Sequence, residues 1–98
     1  MPLKRKTYLL LAPALGLVKI GCSIDPCQRM CDLRTMNAAA VEPLLVLRTP
    51  ELELHDRFKM DRRQGEWFAV SQGMIDWLVI IEEYEAADRL KVIVQDVV

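Results

Sequence analysis

The chain has 98 residues, is 52% hydrophobic and 28% charged, and carries a net charge of −1. This is the size of one compact domain and the balance of a folded globular protein, which excludes a disordered chain. No apolar stretch reaches the roughly 18 to 20 residues of a membrane span, and a near-neutral total excludes a uniformly basic nucleic-acid binder.

Residues 7–11 and 17–21 are two short β-type runs. Ala12-Pro13-Ala14-Leu15-Gly16 supplies turn residues between them, so an antiparallel hairpin is expected. The run from Leu9 to Leu17 follows Lys4, Arg5 and Lys6 and so imitates a signal peptide. Pro13 and Gly16 interrupt it, and cleavage would destroy the hairpin, so no targeting segment is expected. Asp25-Pro26 then opens a helix: aspartate caps free backbone N–H groups, and proline at the first helical position loses no useful donor. That helix is expected to reach about Thr35 and to end near Asn37.

Leu44 to Leu47 reads as a third strand entered through Pro43. Thr49-Pro50 repeats the cap-then-proline signal and starts a second helix over about residues 50–61, with Leu54 and Phe58 facing inward. Gly65 ends the following loop, and Trp67 and Phe68 read as a short buried segment. Ser71 caps a third helix whose stripe is Met74, Trp77, Leu78, Ile81 and Tyr84. Residues 90–94 read as a short edge strand or as a tail that pairs with a partner. The expected architecture is therefore α+β. A small three-stranded antiparallel sheet in ββαβαα order carries packed helices, in a single domain with its core over residues 7–88 and a C-terminal strand or tail over 89–98.

Cys22, Cys27 and Cys31 are an odd count in a short chain, which argues against a disulfide framework and for a reducing compartment. Their spacing matches no usual zinc pattern, and buried reduced thiols are expected. Charge is unevenly spread: residues 1–63 carry eleven Lys/Arg against seven Asp/Glu, and residues 64–98 carry two against seven. A basic part able to follow phosphates is thus joined to an acidic C-terminal part facing elsewhere.

Several short signals stand in a fixed order. Tyr8-Leu9-Leu10 begins one strand, and Val18-Lys19-Ile20-Gly21 ends the next. Arg29 lies on the first helix. Glu51 and His55 are one turn apart on the second, and Gly65-Glu66-Trp67-Phe68 follows. Together these resemble the GIY-YIG nuclease family, specifically its small phage and bacterial branch with Lys-Ile-Gly in place of Tyr-Ile-Gly. The resemblance covers residues 7 to about 78. It implies a GIY-YIG-like fold and a hydrolase that cuts a DNA strand with a single Mg²⁺ or Mn²⁺ ion. Tyr8, Lys19, Arg29 and His55 would then be catalytic, Glu51 would hold the metal, and Gly21, Gly65, Trp67 and Phe68 would be structural motif residues. It also implies a cytoplasmic setting in a bacterium or a phage-infected host. The wider family has a supporting asparagine late in the domain. No asparagine follows Asn37 here, and Gln64 and Gln72 are the nearest amides.

Those residue types suit the chemistry. Phosphodiester hydrolysis needs an activated water, a stabilised phosphorane and a stabilised leaving oxygen. Mg²⁺ takes oxygen ligands and keeps several waters, so one carboxylate suffices on the protein side. Arginine presents a permanently charged fork to phosphate oxygens. A tyrosine accepts a proton only if cations favour its phenolate, which is the bias expected of Lys19.

Two other readings use the same residues. One is a catalytically weak or inactive nucleic-acid-binding module, which suits the small size and the lack of a separate DNA-reading domain. The other is a protein-interaction module in which the acidic part binds a partner. Double-stranded DNA is the expected substrate. The apolar third helix and the Val-rich end are where a second copy or a protein partner is expected to dock.

Overall fold

The computed structural model describes residues 4–37 and 39–95, with side chains through Val94. Five strands form one antiparallel sheet: β1 (Lys6–Ala12), β2 (Leu17–Ser23), β3 (Glu42–Leu47), β4 (Arg62–Gln64) and β5 (Trp67–Ala69), in the spatial order β3-β1-β2-β5-β4. Four helices cover it: α1 (Pro26–Met36), α2 (Glu51–Arg57), α3 (Gln72–Ile80) and α4 (Tyr84–Gln95).

Period-two alternation divides the core. Leu9, Leu11, Val18 and Ile20 point to one face, where Leu54 of α2 and Phe58 just after it, then Met74, Ile75 and Leu78 of α3, then Ala86, Ala87 and Leu90 of α4 pack on them. Tyr8, Leu10 and Ala12 point to the other face, against Met30 and Leu33 of α1 and Val41. The sheet is buried on both sides, so the run Tyr8 to Ala12 is apolar throughout and wholly buried.

The β1–β2 hairpin is in place, and its register pairs Tyr8 with Gly21 and Leu10 with Lys19. A 3₁₀ turn over Pro13–Leu15 closes it, with Gly16 at φ 64°. The Asp25 side chain accepts from the Gln28 backbone N–H at 3.1 Å, and Asn37 ends α1. The Ser71 hydroxyl accepts from the Met74 N–H at 3.2 Å and starts α3. Pro43 sits on β3, the edge strand, beside an irregularity in the β1–β3 register between Leu9 and Leu10, where a missing donor is tolerated.

Several expectations are corrected. The sheet has five strands, not three, because Arg62–Gln64 and Trp67–Ala69 form a second hairpin on β2, turning through Gly65 at φ 55°. Residues 90–94 are not a strand. They lie in α4, where Ala86, Ala87 and Leu90 are buried and Ile93 and Val94 pack beside them at helical spacing. Residues 96–98, the end of the expected tail, lie outside the described residues. The second helix stops at Arg57 and yields to a 3₁₀ turn over Lys59–Asp61. The third stops at Ile80, and Glu82 at φ 63° turns the chain into α4. Thr49 does not cap α2: Pro50 holds the cap position with no side-chain bond, and the Thr49 carbonyl instead accepts from the Thr7 hydroxyl. Cys27 and Cys31 are exposed rather than buried, and Cys22 is partly covered; all three are free thiols.

Candidate active site

The site grows from the Tyr8–Gly21 pair. Tyr8 is 2% exposed, and its phenol lies across the β2 backbone where a larger residue would stand. A Cβ built on Gly21 would meet the Tyr8 hydroxyl at 2.5 Å, Cζ at 2.6 Å and Glu66 Oε2 at 3.0 Å. Glycine is therefore required here by close approach, not by a positive φ. The same contacts place the Glu66 carboxylate beside Gly21, on the phenol's side of the strand. Glu66 is held there by the β5 connection, since its carbonyl accepts from the Ile20 N–H at 2.9 Å and extends the pairing with β2.

Arg29, on α1, lies near enough to the Tyr8 hydroxyl for its charge to favour the phenolate. Glu51, the first residue of α2, acts on the phenol through space. These elements pack on opposite faces of the sheet, so the groups converge at its end. The Tyr8 pKa is raised: burial contributes most, and the Glu66 and Glu51 charges add to it, while Arg29 opposes them. A cation does favour the phenolate, but it is Arg29, and burial outweighs it, so the phenol of the free protein is neutral. Lys19 pairs with Glu66. Its Nζ lies 3.4 Å from Glu66 Oε2 and 5.7 Å from the centre of the Trp67 ring, because Lys19 and Trp67 are cross-strand partners.

His55 is engaged within the fold. Its Nε2 is 2.9 Å from the Ile20 carbonyl oxygen, and its ring packs on Phe68 with centroids 5.0 Å apart. A carbonyl only accepts, so Nε2 donates and Nδ1 is left as the second nitrogen. The bond ties α2 to β2 one residue before Gly21 and sets the helix that starts with Glu51. Thr7, buried, does the same from the other side by anchoring the Thr49 carbonyl two residues before Glu51.

Glu51 is half-buried and makes no ion pair among the described residues. It lines a cleft of about 380 Å³ with Thr7, Cys22, Leu52, Arg5 and Arg48. An adjoining cleft of about 400 Å³ is walled by Lys4, Arg5, Lys6 and Arg48. Among the described residues no group of three or more His, Cys, Asp and Glu side chains is placed to hold an ion. One uncommitted carboxylate open to solvent nevertheless fits a hard cation that keeps its waters, and does not fit zinc.

Of the remaining motif residues, Gly65 makes the β4–β5 turn, Phe68 is wholly buried, and Trp67 is half-buried beneath Lys19. Neither amide stands in for a late asparagine. Gln72 bonds Asp76 on the exposed face of α3, and Gln64 lies on β4 among other residues. The sequence reading missed Glu66, Arg5, Arg48 and Thr7. Glu66 is legible in principle, since it is the only charged member of the Gly65-Glu66-Trp67-Phe68 signal.

In comparison with known proteins, the chain matches no family model, no curated protein and no solved structure. Among the described residues no helix is long and apolar enough to cross a membrane.

Proposed function

We propose that the protein is a divalent-metal-dependent endonuclease that hydrolyses DNA phosphodiester bonds at a GIY-YIG-type site. The observation that carries this reading is the convergence of Tyr8, Arg29, Glu66 and Glu51 at one end of the sheet, beside a cleft walled by four basic residues. Residues scattered over the first two thirds of the chain meet where a phosphate would be drawn by charge.

In this reading Glu51 holds the cation, a Mg²⁺ or Mn²⁺ ion. When bound, the cation supplies Lewis-acid stabilisation of the phosphate and of the attacking water. Arg29 binds a nonbridging phosphate oxygen and stabilises charge as it develops. Tyr8 enters as a neutral hydrogen-bond donor that orients the water or the phosphate, because its proton is held tightly. Glu66, whose charge acts on that phenol, accepts the proton that the attacking water loses as its oxygen bonds to phosphorus and the bond to the leaving oxygen breaks. Lys19 balances Glu66 and keeps the pair compact. Arg5, Arg48, Lys4 and Lys6 guide the flanking phosphates.

The test is nicking of supercoiled plasmid with Mg²⁺ or Mn²⁺, with and without chelator. The reading expects metal-dependent nicking that falls at least about a hundredfold in Glu51→Ala, the scale of losing one transition-state contact. Nicking that survives this substitution rejects the site. A second reading, a binding module without hydrolysis, is favoured by one observation: Lys19 is engaged with Glu66 instead of activating Tyr8. It expects salt-sensitive DNA retention with no nicking under any metal.

A further inference from the structure

The α1 face of the sheet carries a feature that the hydrolytic reading does not use. Along β2, alternation places Leu17, Lys19 and Gly21 on this face in order. Gly21 lies under Tyr8, and Lys19 reaches Glu66 and Trp67. Leu17, at the far end, opens onto a cavity of about 280 Å³. Trp67 is the shared wall: Lys19 covers it from the side of the site, and it also lines the cavity.

The lining is apolar with three polar groups. Leu17, Val41 and Trp67 supply the walls, and Asn37, Gln64 and Arg63 supply the polar atoms. Asn37 gives its amide N–H to the Leu33 carbonyl at 2.5 Å, which leaves its Oδ1 as an acceptor. Gln64 is exposed on β4 and brings both a donor and an acceptor. Arg63 holds two backbone carbonyls only at 3.3 and 3.4 Å, so most of its guanidinium is free. Among the described residues no carboxylate lines the cavity.

We propose that this cavity receives an unpaired nucleobase of the DNA strand engaged at the site. The Trp67 indole in the wall is the kind of aromatic group on which any base can pack. Two side-chain amides offer the mixed donors and acceptors that a base edge presents. One arginine with no opposing carboxylate suits the attached phosphate. Leu17 and Gly21 are four strand residues apart, so the cavity is ~13 Å from the phenol, a reach of a few nucleotides along one strand. A base inside a paired duplex cannot enter such a recess without leaving its stack. The substrate class is therefore DNA with an unpaired nucleotide close to the scissile bond: a bulge, a flap, a gap or a single strand. The choice of strand rests on the proposed nuclease reading, while the cavity and its chemistry do not.

The experiment is binding in chelator, where no cleavage is needed, so its failure is separate from failure of the nicking assay. The probes are a short fluorescent duplex with a one-base bulge and the same duplex fully paired. The bulged probe is expected to bind about tenfold more tightly and to quench the part of the tryptophan emission that Trp67→Phe removes. Ala39→Phe, which fills the cavity without touching Tyr8, Arg29, Glu51 or Glu66, is expected to abolish both effects. Gln64→Ala, on an exposed strand and safe for folding, is expected to reduce the preference severalfold. Equal affinity for the two probes overturns the proposal, as does a preference retained in a folded Ala39→Phe protein. Binding of bulged DNA with no Trp67 response also overturns it and leaves the cavity to the side chain of a protein partner.

Discussion

Gly21 and Tyr8 show how one residue's absence of a side chain makes another's chemistry available. The phenol occupies the volume that any Cβ at position 21 would fill, and the ring is held by the Met30 and Leu33 cluster, so it has little room to yield. Gly21→Ala is accordingly expected to destabilise the fold by about 1–3 kcal/mol, the usual cost of overpacking, and to suppress nicking beyond what the stability loss explains. Chemical denaturation beside the plasmid assay separates the two effects. Nicking at the wild-type rate in Gly21→Ala would mean that Tyr8 is not used. At this scale Gly21, Tyr8 and Arg29 were legible, because a fixed order of residue types on a hairpin and its following helix points to one place. The Lys19 partnership was not, because it depends on which strand lies beside β2, and nothing near Lys19 in sequence says that β5 does.

The elements were legible where a local rule decides them. Asp25 and Ser71 form the caps their side chains predict, since each bond closes within three residues. Thr49 had the same signal, but Thr7, distant in sequence, claimed its carbonyl. The β4–β5 hairpin was missed because Arg62, Arg63 and Gln64 are all exposed and show no alternation; the strand exists only as a partner for β5. Helix α4 was misread because valine and isoleucine favour strands, while the longer stripe from Ala86 to Val94 follows a helical period. The break before it is strained: Glu82 is the one non-glycine residue with positive φ among the described residues. Glu82→Gly should relieve about 1–2 kcal/mol of left-handed strain against a smaller entropic loss, for a net gain of about 0.5–1 kcal/mol. A denaturation midpoint that falls on this substitution would show that Glu82 makes a compensating contact.

At the scale of the whole molecule, the charge asymmetry becomes a direction. Lys4, Arg5, Lys6 and Arg48 gather next to Glu51, while Asp76, Glu85 and Asp88 lie exposed on α3 and α4, and Glu82 and Glu83 lie in the turn between those helices. Arg89 stands apart from that acidic character: it pairs with Glu42 and bonds the Pro43 carbonyl, fastening α4 to the edge strand β3. A chain of net charge −1 can thus present one basic end to a polyanion. Arg48→Ala is expected to weaken DNA binding and to lower the dependence of log affinity on log salt by about one unit, one released phosphate contact. An unchanged salt slope would remove this cleft from the DNA path.

The account depends most on a shared cleft at the sheet end, and the Tyr8 phenol reports it directly. With Tyr84→Phe as background, Tyr8 is the single tyrosine, and its ultraviolet titration can be followed alone. The titration midpoint is predicted to lie above the ordinary tyrosine value of 10, to fall in Glu66→Gln, to fall less in Glu51→Gln, and to rise further in Arg29→Met. A phenol that titrates at its ordinary value and ignores all three substitutions would contradict the convergence on which the proposed hydrolysis rests.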